Sequence, residues 1–330
     1  MIPMSEDCNS QMFLHILKEA DNVGLLSHTS PDGDCLGSML AIGIALEKLG
    51  KEVSFFNPDP VPDYLTFLPG ASRIRKELPQ PKPSVWLYVD CTDLERVHPD
   101  KDEMFGAGTV LNLDHHVSNQ FFGDYNWVEP EAAASGEIAL YLIDRLGVKL
   151  DQDIAVNLYT AILTDTGCFE YGNTTAQTHR LSAWLLEQGI DMIGIHDKVY
   201  NQKPLSQVKL LACALNSLEI LAEGQAGFIT LSEVDFQQSG AERELSEGVI
   251  NHARSIEGVE VAVLLKEMGP REVKVSLRSN LRLDVNQVAS RFGGGGHQRA
   301  AGYTFIGTLA EARQIIATAL EEALGIGRDN

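Results

Sequence analysis

The sequence predicts an α/β fold: an N-terminal, mainly parallel sheet with helices on both faces, joined by a helical linker to a smaller α/β domain. Three observations predict it. Short, continuous apolar runs in the first half each end at a polar or acidic turn, as strands of a covered parallel sheet do. Segments with helical spacing alternate with these runs or follow them. Beyond about residue 205 the pattern changes to closely spaced strands with a late glycine run and a final helix.

The elements follow in order. Residues 22–27 (NVGLLS) read as a strand that ends at His28, and residues 36–49 have helical spacing up to the stop at Gly50. Strands are expected at 52–56, at 85–89 ending on Asp90, and at 110–113 ending on Asp114. Helices are expected at 137–146, 153–163 and 177–187. Residues 189–204 mix Gly, Ile, Asp and Pro, and a helix restarts at 205–216. Strands then fall at 226–231, 259–266 and 272–278, a helix lies around 245–254, and the last helix spans 309–324. The domains are therefore placed at 1–188 and 207–330 with a linker at 189–206. A length of 330 residues suits two domains.

Composition narrows the function. With 26 Lys+Arg against 46 Asp+Glu, the net charge is −20. Such acidity argues against a general nucleic-acid coat or an anionic-membrane binder, but leaves room for a small anion at one local site. The window 266–299 runs the other way, with seven basic residues against three acidic ones. The N-terminus lacks the basic start and apolar run of a secretory signal, and no stretch approaches the roughly 20 apolar residues of a membrane helix. A soluble, cytoplasmic protein is expected. Five widely spaced cysteines without a C-x-x-C pair fit reduced thiols, three of which (Cys35, Cys91, Cys168) stand near acidic residues.

The strand ends carry the chemistry. The first offers His28-x-x-Pro31-Asp32-x-Asp34, the third Asp90 and the fourth Asp114-His115-His116, while a helix end adds Thr164-Asp165-Thr166-Gly167. Ligands of open parallel sheets bind outside the carboxyl ends of the strands. Clustered carboxylates repel one another unless a cation sits among them. Four or more carboxylates with two or three imidazoles form a ligand set for two Mn²⁺ or Mg²⁺ ions, and such a pair can clamp the attacking and leaving oxygens of a phosphoryl transfer. Phosphate-loop, dinucleotide-fold, zincin and serine-hydrolase motifs are absent.

These motifs resemble the DHH phosphoesterase superfamily, named for the triplet seen here at 114–116, and all four occur in the family's order. The C-terminal half is similar to the DHH-associated domain in Arg278-Ser279 and in Gly293-Gly-Gly-Gly-His297-x-x-Ala-Ala-Gly302. Phe122-Gly-Asp-Tyr-Asn126-Trp127 and residues 164–171 resemble the NrnA-type branch, which combines nanoRNase (oligoribonuclease) and pAp phosphatase activities.

The resemblance implies one metal on His28, Asp32 and Asp90 and a second on Asp34, Asp90, His115 and Asp165, with Asp90 between them. Mn²⁺ is the expected ion, with Mg²⁺ or Co²⁺ as alternatives. Asp114 would orient His115, and His116 would contact phosphate or act as general acid. Attack on phosphorus would come from a metal-bridging hydroxide. In the second domain Arg278, Ser279, Gly294, Gly295, Gly296, His297 and Arg299 would bind substrate phosphate, and Phe169 or Tyr171 would stack on a base. A cleft between the metals and the phosphate pocket would limit substrate length. The expected partners are short single-stranded RNA oligonucleotides, dinucleotides and pAp, without long duplexes or a membrane, and a homodimer is left open. The competing readings are a pApA or cyclic-di-AMP phosphodiesterase, a family-II-like inorganic pyrophosphatase, and a catalytically silent nucleotide-binding protein.

Overall fold

The computed structural model describes residues 8–94 and 108–326; of Cys8, Asn9 and His297 only the backbone is described. The chain divides into two compact units, Met1–Gln202 and Lys203–Asn330.

The first unit is built on a five-stranded sheet. Its strands are β1 (Asn22–Ser27), β2 (Glu52–Phe56), β3 (Val85–Val89), β4 (Thr109–Asp114) and β5 (Tyr125–Val128). The order is β2-β1-β3-β4-β5 and every pairing is parallel. Strand residues alternate between faces. Val23, Leu25, Val85, Leu87 and Val89 enter one large core with α1 (Cys8–Glu19), α2 (Gly33–Lys48), α3 (Ser135–Arg145), α4 (Gln152–Asp165) and α5 (Ala176–Leu186). Leu26, Phe56, Trp86, Tyr88 and Val110 enter a smaller cluster on the other face, flanked by Leu78, Leu94 and Phe122. The β2–β3 connection runs as short 3₁₀ turns and loop. Most of the expected linker is ordered structure, with α6 (Met192–His196) followed by a π-turn at Asp197–Asn201.

Helices α2, α3 and α4 meet closely because glycines face their neighbours. A Cβ on Gly33 would come 2.4 Å from Thr164 Oγ1, and one on Gly136 2.8 Å from the Ala161 Cβ. These contacts bring the start of α2, the start of α3 and the end of α4 to one place beside the carboxyl ends of β1, β3 and β4.

The second unit begins with α7 (Leu205–Asn216). Its strands are β6 (Glu219–Leu221), β7 (Ala226–Leu231), β8 (Val261–Gly269), β9 (Glu272–Ser279), β10 (Gly295–His297) and β11 (Ala300–Ile306), in the order β10-β11-β9-β8-β7-β6. Only β7–β8 is a parallel pair among the described strands of this sheet. Val261, Val263, Leu265, Val275 and Leu277 pack with α10 (Val285–Ser290) and α11 (Leu309–Leu324). Ala262 and Leu264 face α7, α8 (Glu233–Ser239) and α9 (Ile250–Arg254) on the other side. No helix among the described residues is long and apolar enough to cross a membrane.

Candidate metal centre

The first unit gathers the acidic and imidazole side chains named from its sequence. His28 follows β1 and is buried. Its Nδ1 lies 2.8 Å from the Thr29 carbonyl oxygen. A carbonyl only accepts, so Nδ1 carries a proton and donates it there, which turns Nε2 toward the carboxylates. That Nε2 stands 3.4 Å from Asp90 Oδ2 and 3.8 Å from Asp32 Oδ2. His115 repeats the device. Its Nδ1 donates to the Ala132 carbonyl at 3.1 Å, and its Nε2 lies 3.6 Å from Asp165 Oδ2, 3.7 Å from Asp90 Oδ1 and 3.8 Å from Asp34 Oδ2. Imidazoles anchored by one nitrogen and aimed with the other into carboxylates are oriented as metal ligands are.

Asp90 sits between the two histidines. It follows β3 in a left-handed conformation (φ 61°), uncommon outside glycine. Its two oxygens look opposite ways, Oδ2 toward His28 and Oδ1 toward His115. Asp34, in the first turn of α2, is held by the start of α3. Oδ2 accepts the Ser135 N–H at 2.7 Å, while Oδ1 accepts the Gly136 N–H at 2.9 Å and the Ser38 hydroxyl at 3.1 Å. Helix α3 has Ala134 at its N-cap, which supplies no side-chain bond, so Asp34 caps it from about a hundred residues away. Asp32 caps α2 itself, accepting the Cys35 N–H at 3.0 Å. Asp165 ends α4, and Asn173 donates to its carbonyl at 3.2 Å.

Electrostatics follow from this crowding. Burial, then Asp90, Asp165 and Asp32, raise Asp34 well above the ordinary carboxylate range. Burial raises Asp165 to about 6, with Asp90 and Asp32 adding to it against His115 and His116. Burial would raise Asp90 too, but the hydrogen bond with His28 and the charges of His116 and His115 hold it at about 2. Among the described residues the site's imidazoles do not offset all of its carboxylates, and its donors are mainly hard oxygens and imidazole nitrogens, with the Cys35 thiol beside them. Those features fit divalent ions such as Mn²⁺ or Mg²⁺. Asp34, His115 and Asp165 form one compact ligand group, Asp90, His115 and His116 another, and His28 and Asp32 a third that includes the Cys35 thiol.

Asp114 corrects one expectation. It orients His116, not the ring of His115. Asp114 Oδ1 lies 2.7 Å from His116 Nδ1 and accepts the backbone N–H of His115, while Oδ2 accepts Asn119 Nδ2 at 2.6 Å. The chain turns back over the Asp114 carboxylate directly after β4, which places the second following residue beside it and leaves His115 to the Ala132 carbonyl. Burial would lower the pKa of His116, but the bond to Asp114 and the charges of Asp90, Asp114 and Asp165 push it up to about 9.

The expected stacking residues separate. Phe169 is already stacked on His179, with centroids 5.2 Å apart, whereas Tyr171 is 50 % exposed. In the second unit Arg278 is half-buried on β9 and bonds its own neighbour, the Leu277 carbonyl, at 3.1 Å. Ser279 departs from its expected role. Strand alternation turns it with Leu277 toward the core, where it is 2 % exposed. Arg299 departs as well, since its guanidinium donates to the carbonyls of Leu281 and Leu283 and braces that loop. The glycine run leads into the edge strand β10, which begins at Gly295. A Cβ on Gly294 would meet the Gly302 carbonyl oxygen at 2.3 Å and one on Gly296 the Ala300 carbonyl oxygen at 2.4 Å, so close strand approach demands both glycines. Gly295 pairs with Gly302 and His297 with Ala300, while the side chain of His297 lies outside the described residues.

Sequence reasoning missed Ser135, Gly136, Ala132 and Asn119. One signal was available: a helix opening Ala134-Ser135-Gly136-Glu137 has no capping side chain at its N-cap, which asks for a carboxylate from elsewhere.

The chain is similar to known proteins. The model of the DHH family N-terminal domain matches residues 22–162, and that of the DHHA1 domain matches 226–325. A bifunctional oligoribonuclease and PAP phosphatase NrnA of Thermus thermophilus is 33 % identical over 95 % of this chain and 94 % of its own. The protein of that name from Bacillus subtilis is 26 % identical over 90 % of this chain and 93 % of its own. The crystal structure of an exopolyphosphatase-related protein from Bacteroides fragilis superposes with a TM-score of 0.89 at 28 % identity, covering 97 % of this chain and 98 % of that one.

Proposed function

The chain belongs to the DHH family, its DHH part followed by a DHHA1 domain, and on that premise we propose that it hydrolyses short oligoribonucleotides to nucleoside 5′-monophosphates and removes the 3′-phosphate of pAp. It is a hydrolase of phosphoester bonds. One observation carries the metal-dependent reading: two imidazoles, each anchored through Nδ1 to a backbone carbonyl, present Nε2 to a cluster of carboxylates of which Asp34 and Asp90 are buried. The relatives named for oligoribonuclease and PAP phosphatase activity support the substrate class.

His28, Asp32 and Asp90 would hold one ion, and Asp34, Asp90, His115 and Asp165 a second. Such ions supply positive charge that lowers the pKa of water and offsets charge on phosphoryl oxygens. The chain's own residues do the rest. Asp34 can offer only Oδ2, because two protein donors occupy Oδ1. Asp114 holds Nδ1 of His116, which leaves Nε2 to present a proton to a phosphate oxygen or a leaving group. Arg278 supplies a planar guanidinium suited to phosphate oxygens.

The test is turnover of pAp, a 5-mer RNA, pApA, cyclic-di-AMP and pyrophosphate side by side with Mn²⁺. Hydrolysis of pAp and the 5-mer, lost on chelation and in Asp90→Ala, is expected. Cleavage that survives both treatments overturns the metal assignment, and turnover confined to pApA, cyclic-di-AMP or pyrophosphate overturns the substrate assignment.

A further inference from the structure

Asp34 and Asp90 come from different strand ends, yet one residue bonds both. The Ser135 N–H donates to Asp34 Oδ2 at 2.7 Å, and its hydroxyl donates to Asp90 Oδ1 at 2.9 Å. Ser135 is fully buried, as are its two partners apart from a trace of exposure. The bonded oxygens are those that face His115 Nε2. The segment around Ser135 is itself braced. The Ala132 carbonyl accepts from His115, the Ala133 N–H donates to the buried Glu137 carboxylate at 3.3 Å, and the Ala133 carbonyl accepts from Asn173 at 2.8 Å. The segment from Ala132 to the first turn of α3 therefore touches Asp34, Asp90 and His115 at once.

We propose that Ser135 is a positioning residue, whose hydroxyl holds Asp90 Oδ1 at the spacing from Asp34 and His115 that binding of divalent ions requires. This rests on the reading that the cluster holds such ions. The hydroxyl occupies one lone pair of Asp90 Oδ1 and fixes the direction of the other. It also supplies partial positive charge between two carboxylates, so the metal-free site stays assembled instead of splaying under repulsion. Partners that orient ligands in this way commonly change metal affinity by about 10- to 100-fold when removed.

The experiment is a Mn²⁺ titration by calorimetry on the full chain, with circular dichroism as the check on folding. Ser135→Ala keeps the N–H bond to Asp34 and removes only the bond to Asp90. A weakening of Mn²⁺ binding by about 10-fold or more is expected, with Ser135→Thr restoring affinity to within about threefold of wild type. Should Ser135→Ala not fold, Ser135→Cys, with a much weaker donor, is read in its place. Equal affinity in the wild type and the hydroxyl-free variant, or equal loss in Ser135→Thr, overturns the proposal. Absence of Mn²⁺ binding in the wild type itself overturns the metal reading beneath it.

Discussion

Asp114 holds Nδ1 of His116 at 2.7 Å, while the ring of the neighbouring His115 is anchored by the backbone of Ala132. Two adjacent histidines are thus given different tasks by different partners. His115 points into the carboxylates; His116, 37 % exposed at its side chain, stands at their rim with a carboxylate behind it.

This division separates binding from turnover. His116→Ala should lower kcat by about 10²- to 10⁴-fold, the usual contribution of a positioned proton donor, with Mn²⁺ affinity changed by less than about threefold. Asp114→Asn should act in the same direction through the orientation of His116. Kinetics paired with a Mn²⁺ titration checks both. Loss of Mn²⁺ binding in His116→Ala would place that ring among the ligands instead.

A second carboxylate of interest lies in the other unit. Glu260 is 5 % exposed and accepts the backbone N–H groups of Leu281, Arg282 and Leu283, pinning the loop that follows Arg278. Burial would raise its pKa, but those three bonds, with Arg282, hold it below the ordinary value. A folded-state pKa below the unfolded one gives stability that is present above the unfolded pKa and lost as pH falls through the folded one. Glu260→Gln should therefore cost about 1.5–3 kcal/mol near neutral pH and narrow its gap to wild type below about pH 4. Urea unfolding at pH 7 and pH 3.5 measures this, and a gap that stays constant between the two would contradict it.

The legible parts of the molecule were those that local chemistry dictates. Strands ending at His28, Asp90 and Asp114 could be read because an apolar run followed by acidic or imidazole residues is a one-dimensional signal. The ligand roles of Asp34 and Asp165 were expected from the sequence on family resemblance. The bonds of Asp34 to Ser135 and Gly136 were not legible, because they join residues about a hundred positions apart and use backbone N–H groups that any sequence possesses. The burial of Ser279 was not legible for a related reason. A motif places Arg278 and Ser279 side by side, while the alternation of β9 sends them to opposite faces. Arg299, expected to bind phosphate, donates to the carbonyls of Leu281 and Leu283, partners that no local motif reveals.

The aromatic pair gives a prediction that separates packing from binding. Phe169, stacked on His179 and tilted against Tyr159, should destabilise the fold when changed to Ala, by roughly 2 kcal/mol for a half-buried ring. Tyr171, half exposed beside Gly167, should leave the melting temperature nearly unchanged when replaced by Ala and raise KM for a short RNA severalfold, since a stacked base is worth about 1–3 kcal/mol. Melting curves and KM values for the two variants decide it. A stable Phe169→Ala with a raised KM would reverse the assignment.

Charge sets the last prediction, on substrate length. The chain carries −20, and the one basic window in it is largely committed. Lys266 donates to the Arg243 carbonyl and the Ser246 hydroxyl, Arg291 pairs with Glu322, Arg299 is spent on carbonyls, and Arg282 stands 4.0 Å from Glu260. Arg271, Lys274 and Arg278 remain in that window, and against the net charge of −20 a long RNA gains little further attraction along its phosphodiester backbone and meets the repulsion of an acidic surface. Turnover should fall steeply from a 2- to 5-mer RNA to one of about 20 nucleotides. Single-stranded binding loses affinity with salt at a logarithmic slope of about −0.7 for each neutralised phosphate. Contact through one or two phosphates then predicts a slope no steeper than about −1.5 for 1/KM of the short substrate between 50 and 200 mM KCl. Equal turnover of the long and short RNAs, or a slope several times steeper, would require a basic track beyond the residues described.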